Sequence, residues 1–326
     1  MIWNGHLLVH MSLKIFNYIH MKKINFNLKT QDFSYTDKII NNIKQPLSLT
    51  VQVTRKCNLN CKWCSEAKQI KDPTLKDLKF LANQIKGVGR VYLSGGEPLV
   101  RDDFTKIINY YSKKFQVLAL LTNAIAIDEK MAKFLKGKIK YAKVGIDGPR
   151  LINNLTRGNY DEAIVGVKNL IRSGIDTSIS AMLLKSNLQH IDKLIQITDI
   201  LGVKQLKLIE PVRRGRSFNF SITAIPTEFE IMKKIKELKL LKKRLGWDTK
   251  IEYTFWDKKT EGYSLLVYPN LDVHIWPILD KKISEDASIL VGNLYKQNIQ
   301  EIWANLSIEF KKNHIAKYTG ISMCKF

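Results

Sequence analysis

The sequence predicts an α/β fold in which helices connect the strands of a parallel sheet. Between residues 49 and 210, six short runs rich in β-branched residues alternate with amphipathic helical segments, a pattern typical of parallel sheets. Glycines at positions 137, 174 and 202 follow three of these segments as helix stop signals. Six strand–helix units form either a partial (β/α)6 TIM-like barrel or an open doubly wound sheet. In both, the chemistry lies at the carboxyl ends of the strands.

The individual elements follow from local patterns. Strands are predicted at Leu49–Thr54, Arg90–Ser94, Gln116–Thr122, Tyr141–Asp147, Thr177–Leu183 and Lys204–Glu210. Helices are predicted near residues 74–85 and at Asp102–Lys113, Asp128–Lys136, Tyr160–Ser173 and Asn187–Leu201. The first helix begins at Thr74, which with Asp77 has the spacing of a capping box. Its apolar residues recur at helical spacing and therefore share one face.

The pattern changes near residue 225. A capping box at Thr227–Glu230 begins a Lys-rich helix that runs to about Leu245, and β-type segments follow at Lys250–Trp256 and Tyr263–Ile275. A last helix carries the apolar residues from Ile299 to Phe310. We therefore predict three parts: an N-terminal extension (1–44) without assigned function, a core domain (45–222) and a small α+β C-terminal appendage (223–326). Met1, Met11 and Met21 are alternative starts.

Composition excludes several classes of protein. The 326 residues are 45% hydrophobic, which argues against disorder, and carry a net charge of +23. That charge indicates either a polyanionic partner such as RNA or a genome that favours Lys throughout. There is no apolar run long enough for a membrane span and no secretory signal pattern. Clustered rather than paired cysteines indicate a reducing compartment, so we expect a cytoplasmic protein that does not bind membranes.

Three cysteines follow the first predicted strand within eight residues. Cys57, Cys61 and Cys64 form a Cys-x3-Cys-x2-Cys motif on a polar loop. Thiolates suit iron–sulfur clusters or zinc, but a structural zinc needs a fourth ligand. Three thiolates on one loop suit a cubane cluster that leaves one iron open to a substrate or cofactor. The alternatives are three buried structural cysteines and a zinc-binding interaction module without catalysis.

This motif resembles the signature of the radical S-adenosylmethionine (radical SAM) enzymes. The resemblance implies that the three cysteines hold one [4Fe–4S] cluster and that SAM chelates its fourth iron. Trp63, the aromatic residue before the third cysteine, would lie beside the adenine. The resemblance also favours the partial barrel over the doubly wound sheet.

Further matches follow the next strands in the order of that family. Ser94–Pro98 resembles its GGEP motif, with Gly95, Gly96, Glu97 and Pro98 at the SAM amino group. Thr122-Asn123-Ala124 resembles its Thr-Asn-Gly, with Ala in place of Gly. Gly145–Pro149 resembles its Ser-x-Asp-Gly-Pro, with Gly in place of Ser. The resemblance implies that Asn123 and Asp147 contact the cofactor.

Two further candidates are open to a second interpretation. By resemblance, Ser180 in the fifth strand faces SAM; a solvated or capping hydroxyl is the alternative. Glu210, at the end of the sixth strand, is the candidate catalytic acid or base. For Glu210 we favour an ion pair with Arg213, Arg214 and Arg216.

The C-terminal third resembles the twitch or SPASM appendage of peptide-modifying members. Trp276 stands where a cluster cysteine is expected, and Cys324 is the only cysteine left in this third. His274 and Cys324 are too few ligands for a second cluster, so we predict a single one. A packed histidine and a thiol without a metal account for these two residues.

The resemblance implies an enzyme that cleaves SAM reductively to a 5′-deoxyadenosyl radical. The appendage favours a peptide or protein side chain as substrate; the alternative, from the charge, is tRNA or another RNA. A flavodoxin or ferredoxin is the expected electron donor. The bond that is formed or broken does not follow from the sequence.

Overall fold

The computed structural model describes residues 25–29, 31–34, 43–66, 70–212, 214–219, 222–254, 262–279, 287–319 and 324–325. Some predictions concern residues outside these ranges, among them Met1, Met11, Met21, Arg213 and Trp256. Within them, no helix combines the length and apolar character that crossing a bilayer requires.

Strands and helices alternate through most of the chain, as predicted. The strands are β1 (Asn25–Asn27), β2 (Asp32–Ser34), β3 (Ser48–Gln52), β4 (Arg90–Ser94), β5 (Val117–Thr122), β6 (Tyr141–Gly145), β7 (Asp176–Met182), β8 (Gln205–Ile209), β9 (Lys250–Thr254), β10 (Ser264–Val267), β11 (Asp272–Trp276), β12 (Ile289–Asn293) and β13 (Cys324–Lys325). The helices are α1 (Leu75–Gln84), α2 (Phe104–Tyr111), α3 (Glu129–Leu135), α4 (Arg150–Thr156), α5 (Tyr160–Arg172), α6 (Lys185–Leu188), α7 (Ile191–Ile200), α8 (Glu228–Leu245), α9 (Ile299–Asn305) and α10 (Ile308–Tyr318).

The six predicted core strands all form, in sequence order, as neighbours in one sheet. Strands β3 to β9 pair in parallel, and β10 joins β3 in parallel on the other side. One face of each strand packs under the helices, where residues such as Leu49, Leu93 and Leu120 are fully buried. The other face lines the inside of the curved sheet. This is the partial barrel architecture, and the open doubly wound alternative is not formed.

Helix ends follow local capping chemistry, which also explains two differences from prediction. Thr74 and Thr227 form the predicted capping boxes of α1 and α8. The predicted last helix is two helices, because the Ser307 side chain accepts the Phe310 N–H and starts α10. The predicted helix at 187–201 is also two, α6 and α7. There Asn187 lies within α6, where its Oδ1 accepts the Leu184 N–H and its Nδ2 donates to the strand ends, so it does not cap α7.

The C-terminal third completes the sheet of the core. Strand β9 pairs with β8, and Leu266 of β10 lies opposite Thr50 of β3. Strands β11 and β12 extend the sheet antiparallel beyond β10, while β13 pairs with β9 at the opposite edge. The separation into a core (45–222) and an appendage (223–326) stays a prediction, but both contribute strands to one continuous sheet.

The amino-terminal end of the barrel is closed by a cluster around Arg90. The guanidinium of this fully buried residue lies 4.7 to 5.6 Å from the rings of Phe26, Phe33, Tyr92 and Tyr318. It donates to Ser48 Oγ at 3.0 Å and to the Gln31 carbonyl at 2.6 Å. Part of the N-terminal extension, in which we placed no function, therefore closes the barrel together with α10.

His314 of α10 gives this closure a dependence on pH. Its Nε2 accepts the Leu47 N–H at 3.0 Å, and its Nδ1 lies 2.8 Å from the Tyr263 carbonyl, so the buried ring is neutral. Burial lowers its pKa to about 3. Because this pKa is lower than that in the unfolded chain, near 6.5, the stabilisation is complete above pH 6.5 and is lost as pH falls toward 3.

We expect His314→Gln, which keeps an acceptor and a donor, to flatten the acid limb of the stability profile. Between pH 6 and 4, the wild-type free energy of unfolding should fall more steeply than that of the variant by about 1.4 kcal/mol per pH unit. Urea unfolding at a series of pH values measures this difference. His190→Gln, at a partly exposed histidine, is the control and should keep the wild-type slope. Equal slopes for wild type and His314→Gln would contradict the assignment.

Candidate functional site at the carboxyl ends of the strands

The three cysteines lie together on the loop that leaves β3. All three are free thiols; Cys57 is exposed, and Cys61 and Cys64 are partly exposed. Backbone N–H groups of Leu59 and Glu66 donate to Cys57 Sγ and Cys64 Sγ, each at 3.4 Å. Burial raises the pKa of Cys61 to about 11 and also raises that of Cys57. Across the described residues, no set of three or more His, Cys, Asp or Glu side chains is arranged to hold a metal ion.

Residues on both sides hold this cysteine loop in place. Asp72 accepts the Arg55 N–H at 3.0 Å and the Thr54 hydroxyl at 2.7 Å at the start of the loop. Arg216 donates from Nε to the Cys61 carbonyl and from its backbone to the Cys64 carbonyl, both at 2.9 Å. The loop is therefore fixed by the end of β3 and by the segment that follows β8.

A buried ion-pair cluster supports the end of the loop. Glu66 binds Arg55 and lies 3.2 Å from Arg214 Nη1. Both guanidinium groups also lie within 5.5 Å of the Tyr268 ring. Arg214 and Arg216, which we expected beside Glu210, thus bind the cysteine loop. Glu210 itself lies at the predicted strand end, directly after β8.

The Gly95–Gly96 turn after β4 packs directly on the backbone of the cysteine loop. Gly96 N–H donates to the Thr54 carbonyl and Glu97 N–H to the Lys56 carbonyl, both at 2.9 Å. A Cβ on Gly96 would lie 2.3 Å from the Lys56 carbonyl oxygen, and one on Gly95 2.2 Å from that of Thr54. Gly95 also has a φ of +148°, which favours glycine. The two glycines are needed for this close backbone approach.

Glu97 and Pro98 lie beneath the turn. The Glu97 carboxylate accepts the Asn123 N–H at 2.6 Å, the Thr122 hydroxyl at 2.9 Å and the Leu99 N–H at 3.1 Å. Burial raises its pKa to about 7 in spite of these three hydrogen bonds. Pro98 is buried in the short 3-10 turn that follows. Glu97 is 1% exposed and links the ends of β4 and β5; its expected contact with SAM stays a prediction.

Asn123 connects the end of β5 to the cysteine loop. Its Nδ2 donates to Asn58 Oδ1 at 2.7 Å, and Asn58 directly follows Cys57. The next residue, Ala124, has a φ of +62°, a conformation in which glycine is the unstrained choice. The backbone conformation at this position therefore favours glycine, which is the residue of the family's motif, and Ala124 adopts it despite its Cβ.

Asp147, after β6, is the centre of the second connection to the loop. It is fully buried; its Oδ1 accepts the Met182 N–H at 2.9 Å, and its Oδ2 accepts Trp63 Nε1–H at 2.9 Å. Arg157 Nε also lies 2.9 Å from Oδ2, in an ion pair rather than a hydrogen bond. The Arg157 guanidinium covers one face of the Trp63 ring at 4.1 Å.

Arg157 also explains the glycine that departs from the family pattern. A Cβ on Gly145 would lie 2.3 Å from Arg157 Nη1. The guanidinium of Arg157, the residue that directly follows α4, therefore fills the space that the usual serine side chain would occupy.

Ser180 and Asn187 complete the rim on the far side. Ser180 is partly exposed on the inner face of β7, opposite Gly145 in the register. Asn187 donates to the carbonyls of Asp147 and Met182 and so joins the ends of β6 and β7. The predicted residues near the ends of the first five strands therefore lie along one rim. Glu97 and Asp147 are buried beneath this rim and hold it through hydrogen bonds.

In the C-terminal third, His274 stacks on Tyr268 with ring centroids 4.2 Å apart, and its Nδ1 lies 3.1 Å from Ser288 Oγ. Cys324 is described only as part of β13.

The donor chemistry of the loop fits an iron–sulfur cluster. Three free thiols share one loop, and the charges of Cys57 and Cys64 contribute to the raised pKa of Cys61. Soft thiolates with N–H donors to their sulfurs are the ligand set that such clusters use. The loop is anchored on the protein side, which leaves Cys57 on the exposed side.

Several residues that build this site were missed in the sequence. They are Asn58, Glu66, Asp72 and Arg157. For Arg157 a signal existed, because Gly145 replaces a side chain and a nearby long residue can fill its space. The others bind across long sequence separations, and no local pattern marks them.

A parallel α/β barrel with a thiol-bearing loop at the carboxyl ends of its strands defines a class of cluster-binding barrel proteins. Residues 51–197 match the family model of the radical SAM superfamily, so this part of the chain is a radical SAM domain. Members of this superfamily are enzymes, and the family implies an iron–sulfur cluster and S-adenosylmethionine.

Individual relatives are similar to part of the chain. The pre-heme d1 synthase of Dinoroseobacter shibae is 30% identical over 50% of this chain and 43% of its own length. The mycofactocin maturase MftC of Mycolicibacterium smegmatis is 26% identical over 52% and 46%. The chain thus spans less than half the length of these two relatives. The fold resembles Streptococcus suis SuiB bound to the precursor peptide SuiA, with a TM-score of 0.65 and 16% identity over 85% of this chain and 68% of SuiB.

Proposed function

We propose that this chain is a radical SAM enzyme that uses one [4Fe–4S] cluster, held by Cys57, Cys61 and Cys64, to modify a peptide or protein side chain. One observation carries the proposal: the cysteine loop is bonded to three successive strand ends. Gly96 binds it at β4, Asn123 at β5 and Asp147 at β6. A loop locked to the rim in this way keeps its ligands at a fixed height above the barrel.

The chain's own residues would position the cofactor. When bound, the cluster supplies the electron that cleaves SAM and so yields a 5′-deoxyadenosyl radical. Gly95 and Gly96 offer backbone at a turn that lacks side chains. Trp63, held by Asp147 and Arg157, offers its remaining face to the adenine, and Asn123 and Ser180 offer polar groups at the rim. The residues of this rim would also exclude water from the radical.

A peptide substrate has support from the relatives. SuiB has been solved with a precursor peptide, and MftC is named as a maturase. The RNA alternative rests on the net charge of +23. Two of the positive charges, Arg214 and Arg216, are already bonded to Glu66, Asn60 and the Cys61 carbonyl. We therefore favour the peptide. A flavodoxin or ferredoxin would supply the electron.

The test is reductive SAM cleavage. After anaerobic reconstitution with iron and sulfide, addition of SAM and dithionite should yield 5′-deoxyadenosine from the wild type and none from Cys61→Ala. Cys324→Ala is the matched control and should retain both iron content and nucleoside formation. Liquid chromatography with mass spectrometry quantifies the product. Peptide and tRNA fractions, added separately, should differ in their effect, with faster nucleoside formation in the peptide fraction.

Two results would contradict the proposal. A Cys61→Ala variant that forms the nucleoside as fast as wild type would remove the cluster assignment. Stimulation by tRNA and none by peptide would replace the peptide with RNA as substrate class.

A further inference from the structure

Two lysines line the inside of the barrel. Lys143 of β6 and Lys207 of β8 alternate with core residues such as Val144 and Leu206, so their side chains lie on the inner face. Both are partly accessible, whereas these core neighbours are fully buried. Within the described part of the chain, neither ammonium group has a hydrogen bond or an ion pair. The Lys143 ammonium lies near the rings of Tyr92 and Tyr141, at 5.5 and 5.8 Å.

Positive charge exceeds negative charge on this face. Burial, and then the charge of Lys143, lowers the pKa of Lys207 to about 8. Burial would raise the pKa of Tyr92, yet Arg90 and Lys143 outweigh it and lower that pKa to about 8. Glu252 of β9 lies opposite Lys207 in the register, but Lys250 shares it at 3.1 Å. The buried Lys317, on which Lys143 and Lys207 act, adds a further positive charge. A group of opposite charge would therefore be favoured beside the two lysines.

The inner face also holds buried polar atoms without partners. Gln52 Oε1 on β3 and Thr254 Oγ1 on β9 have no hydrogen bond, although both residues are no more than 3% exposed. Buried polar atoms of this kind are normally satisfied by water or by a ligand. The inner face is thus prepared for polar contents rather than for an apolar core.

The lysines lie just inside the rim where SAM is proposed to bind: Lys207 is level with Ser180, and Lys143 is two residues deeper, opposite Ser178. Ser180 is in turn opposite Gly145 in the register. The Arg90 cluster closes the barrel at its other end. A substrate that enters from the rim therefore extends toward the lysines, and its reacting carbon would be nearer the rim than its distal end.

We propose that Lys143 and Lys207 bind an anionic group of the substrate, a carboxylate or a phosphate, inside the barrel. This inference rests on the proposed function, because it assumes that the substrate occupies the barrel beneath SAM. On a peptide the group is an acidic side chain or the terminal carboxylate; on a nucleotide it is a phosphate. The two lysines select substrates by charge at a point away from the reacting atom.

Binding of small anions tests the site without turnover. The reconstituted protein with SAM is titrated with inorganic phosphate and, separately, with glutarate, at constant ionic strength, and binding is followed by the shift in melting temperature. We expect the wild type to bind at least one of the two, and Lys207→Met and Lys143→Met each to bind it about tenfold more weakly. Lys140→Met, at an exposed lysine at the edge of β6, loses the same charge and should bind as wild type does.

The preferred anion assigns the substrate group: tighter phosphate binding indicates a phosphate, and tighter glutarate binding a carboxylate. Without an anion, Lys207→Met should melt at or above the wild-type temperature, because it removes one charge from a group in which positive charge is in excess; a structural lysine would lower the melting temperature. Failure of the wild type to bind either anion, or equal weakening in Lys140→Met, would overturn the inference. Nucleoside formation, measured in the same samples, tests the proposed function separately, since its absence leaves the anion result standing.

Discussion

Asp147→Ala is expected to lower the free energy of unfolding by about 4 kcal/mol, because it leaves the charge of Arg157 without its buried partner. The Asp147 carboxylate is fully buried and serves Arg157, Trp63 and the Met182 N–H together. Its loss releases Trp63 as well, so we expect SAM to bind at least about tenfold more weakly. Urea unfolding measures the first effect, and equilibrium dialysis with labelled SAM measures the second.

A surface ion pair provides the matched control for this variant. Arg150 and Asp161 are 2.7 Å apart but 68% and 52% exposed, so Asp161→Ala should cost no more than about 1 kcal/mol. Asp147→Asn keeps an acceptor for the Met182 N–H and removes the charge. Its loss of free energy of unfolding should lie between those of Asp147→Ala and Asp161→Ala. If Asp147→Ala were as stable as Asp161→Ala, Asp147 would not organise the rim as described.

Gly96→Ala is expected to have an effect of similar size for a steric reason. Its Cβ would lie 2.3 Å from the Lys56 carbonyl oxygen and 2.7 Å from that of Arg55. Backbone atoms cannot rotate away as a side chain can, so the turn and the cysteine loop must separate. We expect a loss of about 3 kcal/mol of stability and a lower iron content after reconstitution, measured by unfolding and by metal analysis.

Gly137→Ala is the control for the change from glycine itself. Gly137 has a φ of +76° but no neighbouring atom within 4 Å of a built Cβ. This variant should cost about 1 kcal/mol from backbone strain alone and keep the wild-type iron content. Equal iron content in Gly96→Ala and Gly137→Ala would show that the close approach at Gly96 is not needed for cluster binding.

Most of the core was predictable because its signals are local. Strand β4 has the predicted bounds, and the other five core strands differ by one or two residues at an end. Alternation of residue types and helix caps act over a few residues, so a single sequence is enough to detect them. The cysteine motif and the glycine turn were likewise visible, because each lies within one short segment.

The rest depends on contacts between distant residues. Gly145 indicates space for a long side chain, but the sequence does not show that Arg157 fills this space and binds Asp147. The partner expected for Arg214 was Glu210, four residues away, but the structure pairs it with Glu66. The same holds for β10, whose pattern indicates a strand but not its position beside β3.

The pairing of β10 with β3 also sets an order of events during synthesis. Thr50 and Leu266 are roughly two hundred residues apart, and a ribosome needs on the order of 10 to 40 seconds to make that length of chain. Throughout this interval the hydrogen-bonding edge of β3 is exposed and can pair with another nascent chain. Tyr268, which supports Arg55 and Arg214 beside the cysteine loop, arrives just after that edge is covered. The loop therefore reaches its final support late in translation, after the strand from which it emerges.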